Sequence, residues 1–248
     1  PFIYHRTIKT VGIGESWLSD LITDWESNLD KSVSLAYLPS LGRVKLRLTG
    51  QGDNLEKIKK KINNDEKNLL NIIQKYVYGF DKEELESSIG KLLIRKNKTI
   101  SFAESCTGGF VSHMITTVPG SSQYFMGSII AYSNEIKMNN LNVKKETIEK
   151  YGAVSREVAE EMARNVRQKF KSSIGISTSG IAGPDGGTKE KPVGTVWIGY
   201  SDKDKTTSKK LILTKRRDIN ITLSAVNALN QIRINLESNS KSNGHSSK

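Results

Sequence analysis

From Thr99 to Ser122 the chain reads TISFAESCTGGFVSHMITTVPGSS, with hydroxyls, a cysteine and glycines crowded where an apolar run gives way to a helical one. Such a turn suits anion binding and attack on a carbonyl. Glycines let backbone N–H groups come close to a ligand, and a helix start adds partial positive charge. The amides of Thr107, Gly108 and Gly109 are therefore expected to hold a phosphate. Two further loops, Pro119–Ser122 and Ser179–Gly187, have a similar composition and also adjoin predicted strands. Ligands of open α/β sheets bind beyond the carboxyl ends of strands, where such loops converge.

A hydrolase also needs a base. The three histidines do not supply one: His5 lies in the first module, His113 inside the helix after the TGG turn and His245 in the polar tail. The alternative is a lysine held neutral by burial. Lys137, in AYSNEIK after a strand, is the candidate, although its spacing alone equally fits a surface lysine. Cys106, the single cysteine, has no base named around it and reads as a packed small residue; it also excludes an internal disulfide and a multi-cysteine zinc site.

The elements that must carry these residues fall into two groups. Residues 1–80 form a small α+β module. FIYHRTIKTV is β-prone, and a helix through Trp17, Leu18, Leu21, Ile22 and Trp25 follows. SVSLAYLP and RVKLRLTG alternate with period two around a turn at 39–42, and a long helix through Leu55, Ile58, Ile62, Leu69, Ile73 and Val77 starts from Asn54. Residues 81–236 begin with a helix and then alternate strands and helices, including a stripe of Val158, Met162, Val166 and Phe170 capped by Ser155. That order predicts a three-layer α/β/α domain with a mixed sheet. Residues 237–248 are polar and are expected to be disordered.

Five blocks in order, AESCTGG, VPGSSQYFMGSIIAYSNEIK, YGAVSREVAEEMA, SGIAGPDGG and KPVGTVWIGY, closely resemble the C-terminal domain of the CinA family. The resemblance runs from about Leu85 to Leu236, and residues 1–80, with GIGES and GRVKLRLTG, resemble the family's KH-like middle domain. It implies an amidase that converts nicotinamide mononucleotide to nicotinate mononucleotide and ammonia by a serine–lysine mechanism, without metal or cofactor. Carried over, Ser122 is the expected nucleophile, with Ser105 as the alternative; Lys137 is the base, Tyr132 assists and Arg217 engages the substrate. Ser179 and Gly180 belong to the substrate loop, Ser179 standing where the family usually has threonine. A second basic residue, common four positions after Arg217 in the family, is Ile221 here.

The net charge of +12 is concentrated after residue 83, +10 against +2 before it. A basic surface can draw nucleic acid or any phosphorylated small molecule. The first module lacks a basic GxxG clamp, so nucleic acid is not the expected partner, whereas a homodimer is compatible with exposed sheet edges. No apolar run approaches the roughly 20 residues that span a bilayer, and no membrane association is expected. With one cysteine, a cytoplasmic location is expected. Pro1 in place of Met leads to the expectation that the chain begins inside a longer protein.

Overall fold

The structure, a computed structural model, describes residues 1–241. It separates into two compact units, Pro1–Ser88 and the residues from Ile89 onward. The expected boundary at 80/81 lies eight residues before this division, and the Ser88 hydroxyl donates back to the Tyr78 carbonyl within the first unit.

In the first unit β1 (Phe2–Val11), α1 (Glu15–Ser27), β2 (Val33–Ser40), β3 (Arg43–Gly52), α2 (Leu55–Ile73) and β4 (Val77–Phe80) build an antiparallel sheet of order β2-β3-β1-β4. Alternation in β3 turns Val44, Leu46 and Leu48 inward, where they meet Leu18 and Ile22 of α1 and Ile58, Ile62 and Leu69 of α2. Burial of this apolar stripe makes α2 a helix despite its many lysines. The Asn54 side chain accepts from the Lys57 N–H and starts it. Gly50 is required where α2 crosses β3: a Cβ there would lie 2.6 Å from Ile58 Cγ2. Val77 corrects the periodicity. It does not extend α2 but opens β4, which pairs with Ile8–Thr10 of β1.

The second unit contains α3 (Leu85–Arg95, which crosses the boundary), β5 (Ile100–Glu104), α4 (Phe110–Thr116), β6 (Phe125–Ile130), α5 (Asn134–Leu141), α6 (Lys145–Tyr151), α7 (Arg156–Lys169), β7 (Ile174–Gly180), β8 (Thr195–Ser201), β9 (Thr206–Ile212) and α8 (Arg217–Lys241). The sheet order is β6-β5-β7-β8-β9; β5 is parallel to β6 and β7, and β8 and β9 are antiparallel additions. α7 covers one face, with α5 and α6 packed on it, and α4 and α8 pack together on the other. This is the expected α/β/α arrangement with a mixed sheet. α7 lies close on the strands, since a Cβ on Gly175 would come 2.1 Å from the Ala163 carbonyl oxygen. Ser155 caps α7 by accepting from the Val158 N–H. The expected tail is corrected in part: α8 continues to Lys241, and Glu237 receives the Arg233 guanidinium at 2.8 Å. The rest of that stretch, 242–248, lies outside the described residues.

Candidate active site

β5 lies between β6 and β7 and is wholly buried, and its carboxyl end delivers Ser105 to the rim of the sheet. The Ser105 N–H donates to the Thr178 carbonyl at 2.9 Å, so the turn starts from a position fixed by β7. Gly108 (φ 59) and Gly109 (φ 98) then bend the chain into α4. On the other side the Ala131 N–H bonds the Glu104 carbonyl, and Ser133 caps α5 through the Ile136 N–H. Lys137, in the first turn of α5, is thereby folded back onto the strand ends.

The Lys137 ammonium nitrogen lies 3.1 Å from Ser105 Oγ, 2.8 Å from the Ala131 carbonyl oxygen and 3.2 Å from that of Tyr132. The side chain is 2% exposed, and no carboxylate ion-pairs it among the described residues. Burial without a counter-ion pushes its pKa down to about 8, opposed by a smaller effect of the Cys106 sulfur. A neutral amine has two N–H donors and one lone pair. With both donors committed to the two carbonyls, the lone pair is left for the Ser105 hydroxyl. The protonated form can donate to all three oxygens, so the arrangement serves before and after proton transfer.

Two of the three turn amides expected to meet a phosphate, those of Gly108 and Gly109, are already bonded within the protein. Glu104, 1% exposed, accepts at Oε2 from the Gly109 and Val111 N–H groups and the Thr107 hydroxyl, and at Oε1 from the N–H and hydroxyl of Ser112. The Gly108 N–H returns to the Ser105 carbonyl. Only the N–H groups of Cys106 and Thr107 donate no hydrogen bond within the described residues of this turn.

Ser122 is not brought to Lys137. It sits exposed in a one-turn 3-10 helix before β6, and register places Phe125 beside Ile100 and Ile130 beside Glu104. Ser122 and Ser105 thus lie at opposite ends of the parallel strands, about 20 Å apart along β6 at the usual rise of roughly 3.3 Å per residue. Tyr132 and Arg217 do meet: Arg217 Nη2 donates to the Tyr132 hydroxyl at 2.8 Å and Nη1 to the Gly183 carbonyl at 2.9 Å. Tyr132 is 60% exposed, and its carbonyl oxygen is the one 3.2 Å from Lys137 Nζ. The Ser179 hydroxyl donates to the Ala153 carbonyl at 2.7 Å, on the α7 face of the sheet. Gly180 closes β7 where a Cβ would come 2.6 Å from Val196 Cγ2. The Cys106 thiol, buried, is pushed up to about 12 and stays protonated. His113 is exposed and stacks on Phe110.

Two residues that matter here escaped the motif reading. Glu104 is a lone charge ending the otherwise apolar run ISFA, one residue before the candidate serine, and that placement was a usable signal. Thr178, whose hydroxyl lies 2.7 Å from that of Thr107, is separated by 71 positions and had none.

An open α/β unit with a mixed sheet and a buried serine–lysine pair at the carboxyl edge of its parallel strands is the class this site defines. Residues 82–236 match the CinA C-terminal domain, and residues 5–79 match the damage-inducible protein CinA KH domain. The chain belongs to the CinA family. A CinA-like protein from Cytophaga hutchinsonii is 54% identical over 237 residues, covering 96% of this chain and 57% of that protein. A putative competence-damage inducible protein from Halothermothrix orenii is 48% identical over 202 residues, covering 82% and 48%. A crystal structure of a CinA superfamily protein from Klebsiella pneumoniae superposes with a TM-score of 0.60 at 26% identity, covering 62% of this chain and 96% of that one. The chain spans about half the length of the curated relatives it matches. Among the described residues no helix is long and apolar enough to cross a membrane, and no cluster of side chains could hold a metal ion.

Proposed function

We propose that the second unit hydrolyses the carboxamide of nicotinamide mononucleotide, with Ser105 as nucleophile and Lys137 as base. The observation that carries this reading is the buried Lys137 nitrogen, without a carboxylate partner among the described residues, 3.1 Å from Ser105 Oγ. The substrate is the one that the family resemblance implies. Neutral Lys137 takes the Ser105 proton as Oγ bonds to the carboxamide carbon. The resulting oxyanion meets the free N–H groups of Cys106 and Thr107. The Lys137 ammonium then passes its proton to the carboxamide nitrogen, the C–N bond breaks and ammonia leaves. A water molecule, giving its proton to Lys137, attacks the acyl carbon and restores Ser105. Arg217, placed by Tyr132 and Gly183, is the cation for the substrate's phosphate.

Incubation of the purified chain with nicotinamide mononucleotide, with detection of ammonia and the acid product, tests the reading. Ser105→Ala should abolish product while Ser122→Ala retains it. Product formation by Ser105→Ala at the wild-type rate would remove the nucleophile assignment.

A further inference from the structure

We infer that Glu104 is a positioning residue for Ser105, acting through the hydroxyls of Thr107 and Thr178; this rests on Ser105 being the nucleophile. Glu104 points to the α4 side of β5, while its neighbour Ala103 packs with Leu141 and Val158 on the opposite side, from which Lys137 approaches. Glu104 therefore touches neither Lys137 nor the reacting atoms. Its influence is relayed.

The relay has a direction. Three of the groups on the Glu104 carboxylate are backbone N–H groups, of Gly109, Val111 and Ser112, which can only donate. No lysine or arginine ion-pairs it among the described residues, so dipoles alone hold the charge. The Thr107 hydroxyl donates to Oε2 at 2.7 Å, which spends its single proton. Its oxygen must then accept from the Thr178 hydroxyl, also at 2.7 Å. The Thr178 oxygen, its own proton used, turns a lone pair to the Ser105 N–H at 3.4 Å, a long contact beside the 2.9 Å bond of the same N–H to the Thr178 carbonyl.

Each link is thus set by the one before it, from a buried carboxylate to the backbone of the proposed nucleophile. The same carboxylate holds Gly109 and α4, so both ends of the turn that carries Cys106 and Thr107 are tied to one group. Saturating the α4 amides also leaves the N–H groups of Cys106 and Thr107 as the donors available beside Ser105. A hydroxyl removed from the middle of the relay should loosen the turn without touching substrate contacts.

Thr107→Val keeps the shape and removes the hydroxyl, and Thr107→Ser keeps the hydroxyl. For deamidation of nicotinamide mononucleotide, Thr107→Val should lower kcat about tenfold to a hundredfold with KM within about twofold, and Thr107→Ser should restore kcat. Amide hydrogen exchange, read without substrate, should quicken about tenfold at Ser105 and Gly109 in Thr107→Val alone, with β8 amides unchanged. Glu104→Gln should do the same more strongly, since its NH2 group must face an N–H donor; if it does not fold, the Thr107 pair decides. Wild-type kcat and exchange in Thr107→Val, or equal losses in Val and Ser, would overturn the relay. A wild-type chain that releases no ammonia while the exchange pattern holds would instead overturn the functional reading and leave the positioning role standing.

Discussion

The two units bury charges in opposite ways. In the first, Lys9 (2% exposed) meets Glu84 at 2.7 Å, and Glu66 takes the Arg6 guanidinium through both oxygens at 2.7 and 2.9 Å. In the second, Lys137 (also 2% exposed) meets two carbonyls and a hydroxyl, and Glu104 meets amides and hydroxyls. A cation held by a carboxylate keeps its proton. One held only by dipoles is easily deprotonated, because nothing compensates for the lost water when it is charged. The first pattern stabilises a fold. The second is the arrangement that the proposed base requires.

Exchange of each lysine for alanine is the strongest way to break that contrast. Lys137→Ala should reduce deamidation of nicotinamide mononucleotide about a thousandfold, within the range expected for loss of a positioned general base. Lys9→Ala should leave kcat and KM unchanged and lower stability alone. Steady-state kinetics with a thermal melt of each variant would show it. Equal activities in the two variants would erase the distinction.

The pH dependence sharpens it. With Lys137 titrating near 8, kcat/KM should rise about tenfold per pH unit below that value and level off above it. Stability follows the same group. The folded pKa of about 8 lies below the ordinary lysine value of 10.5, so the unfolded chain binds more protons in between and folding gains as pH rises through that window. The cost of burying Lys137 is therefore full below about pH 8 and gone near 10.5. Lys137→Met should stabilise the chain at pH 7 by up to about 3 kcal/mol, less what the two carbonyls lose, and by about half as much at pH 9.5. Denaturant melts at both pH values read the difference, and a gain that grew with pH would contradict the assignment.

Much of this was legible in the residues. Period-two alternation located β2 and β3, Asn54 and Ser155 marked two helix starts, and the lack of a usable histidine pointed to Lys137. Three things were hidden, each for a physical reason. α5 and α6 were not foreseen because helices of eight and seven residues carry too little apolar periodicity to register. Val77 continues the helical spacing of α2, and only pairing with β1 makes it a strand. The choice between Ser105 and Ser122 depends on which strand end each occupies, and parallel pairing of β5 with β6 sets that. The family resemblance favoured Ser122, but β6 runs between it and Lys137 and carries them apart.

A smaller effect probes the ion pair of the first unit. Glu66→Gln leaves Arg6 its second partner, Asp81, and a neutral acceptor in place of the carboxylate. The expected loss is about 2 kcal/mol, in line with charge-assisted hydrogen bonds. Deamidation by the second unit should be unaffected, and a fall in kcat with unchanged stability would show that this charge pattern is not merely structural.

The smallest effect is the most discriminating. Lys9→Met keeps the buried stem and discards the ammonium, while Glu84, half-exposed, regains water and keeps Arg43 Nη1 at 3.8 Å. Replacing an ion pair's buried member with an apolar side chain of similar volume often costs little, because desolvation of the charge disappears with it. A stability change within about 1 kcal/mol is expected, with full activity. The same substitution at position 137 should remove the proposed activity and raise stability. A Lys9→Met chain that lost several kcal/mol would mean that the ion pair, and not the packed methylenes, holds β1 to the segment after β4, and the contrast between the two lysines would then lie in how much each charge contributes to folding.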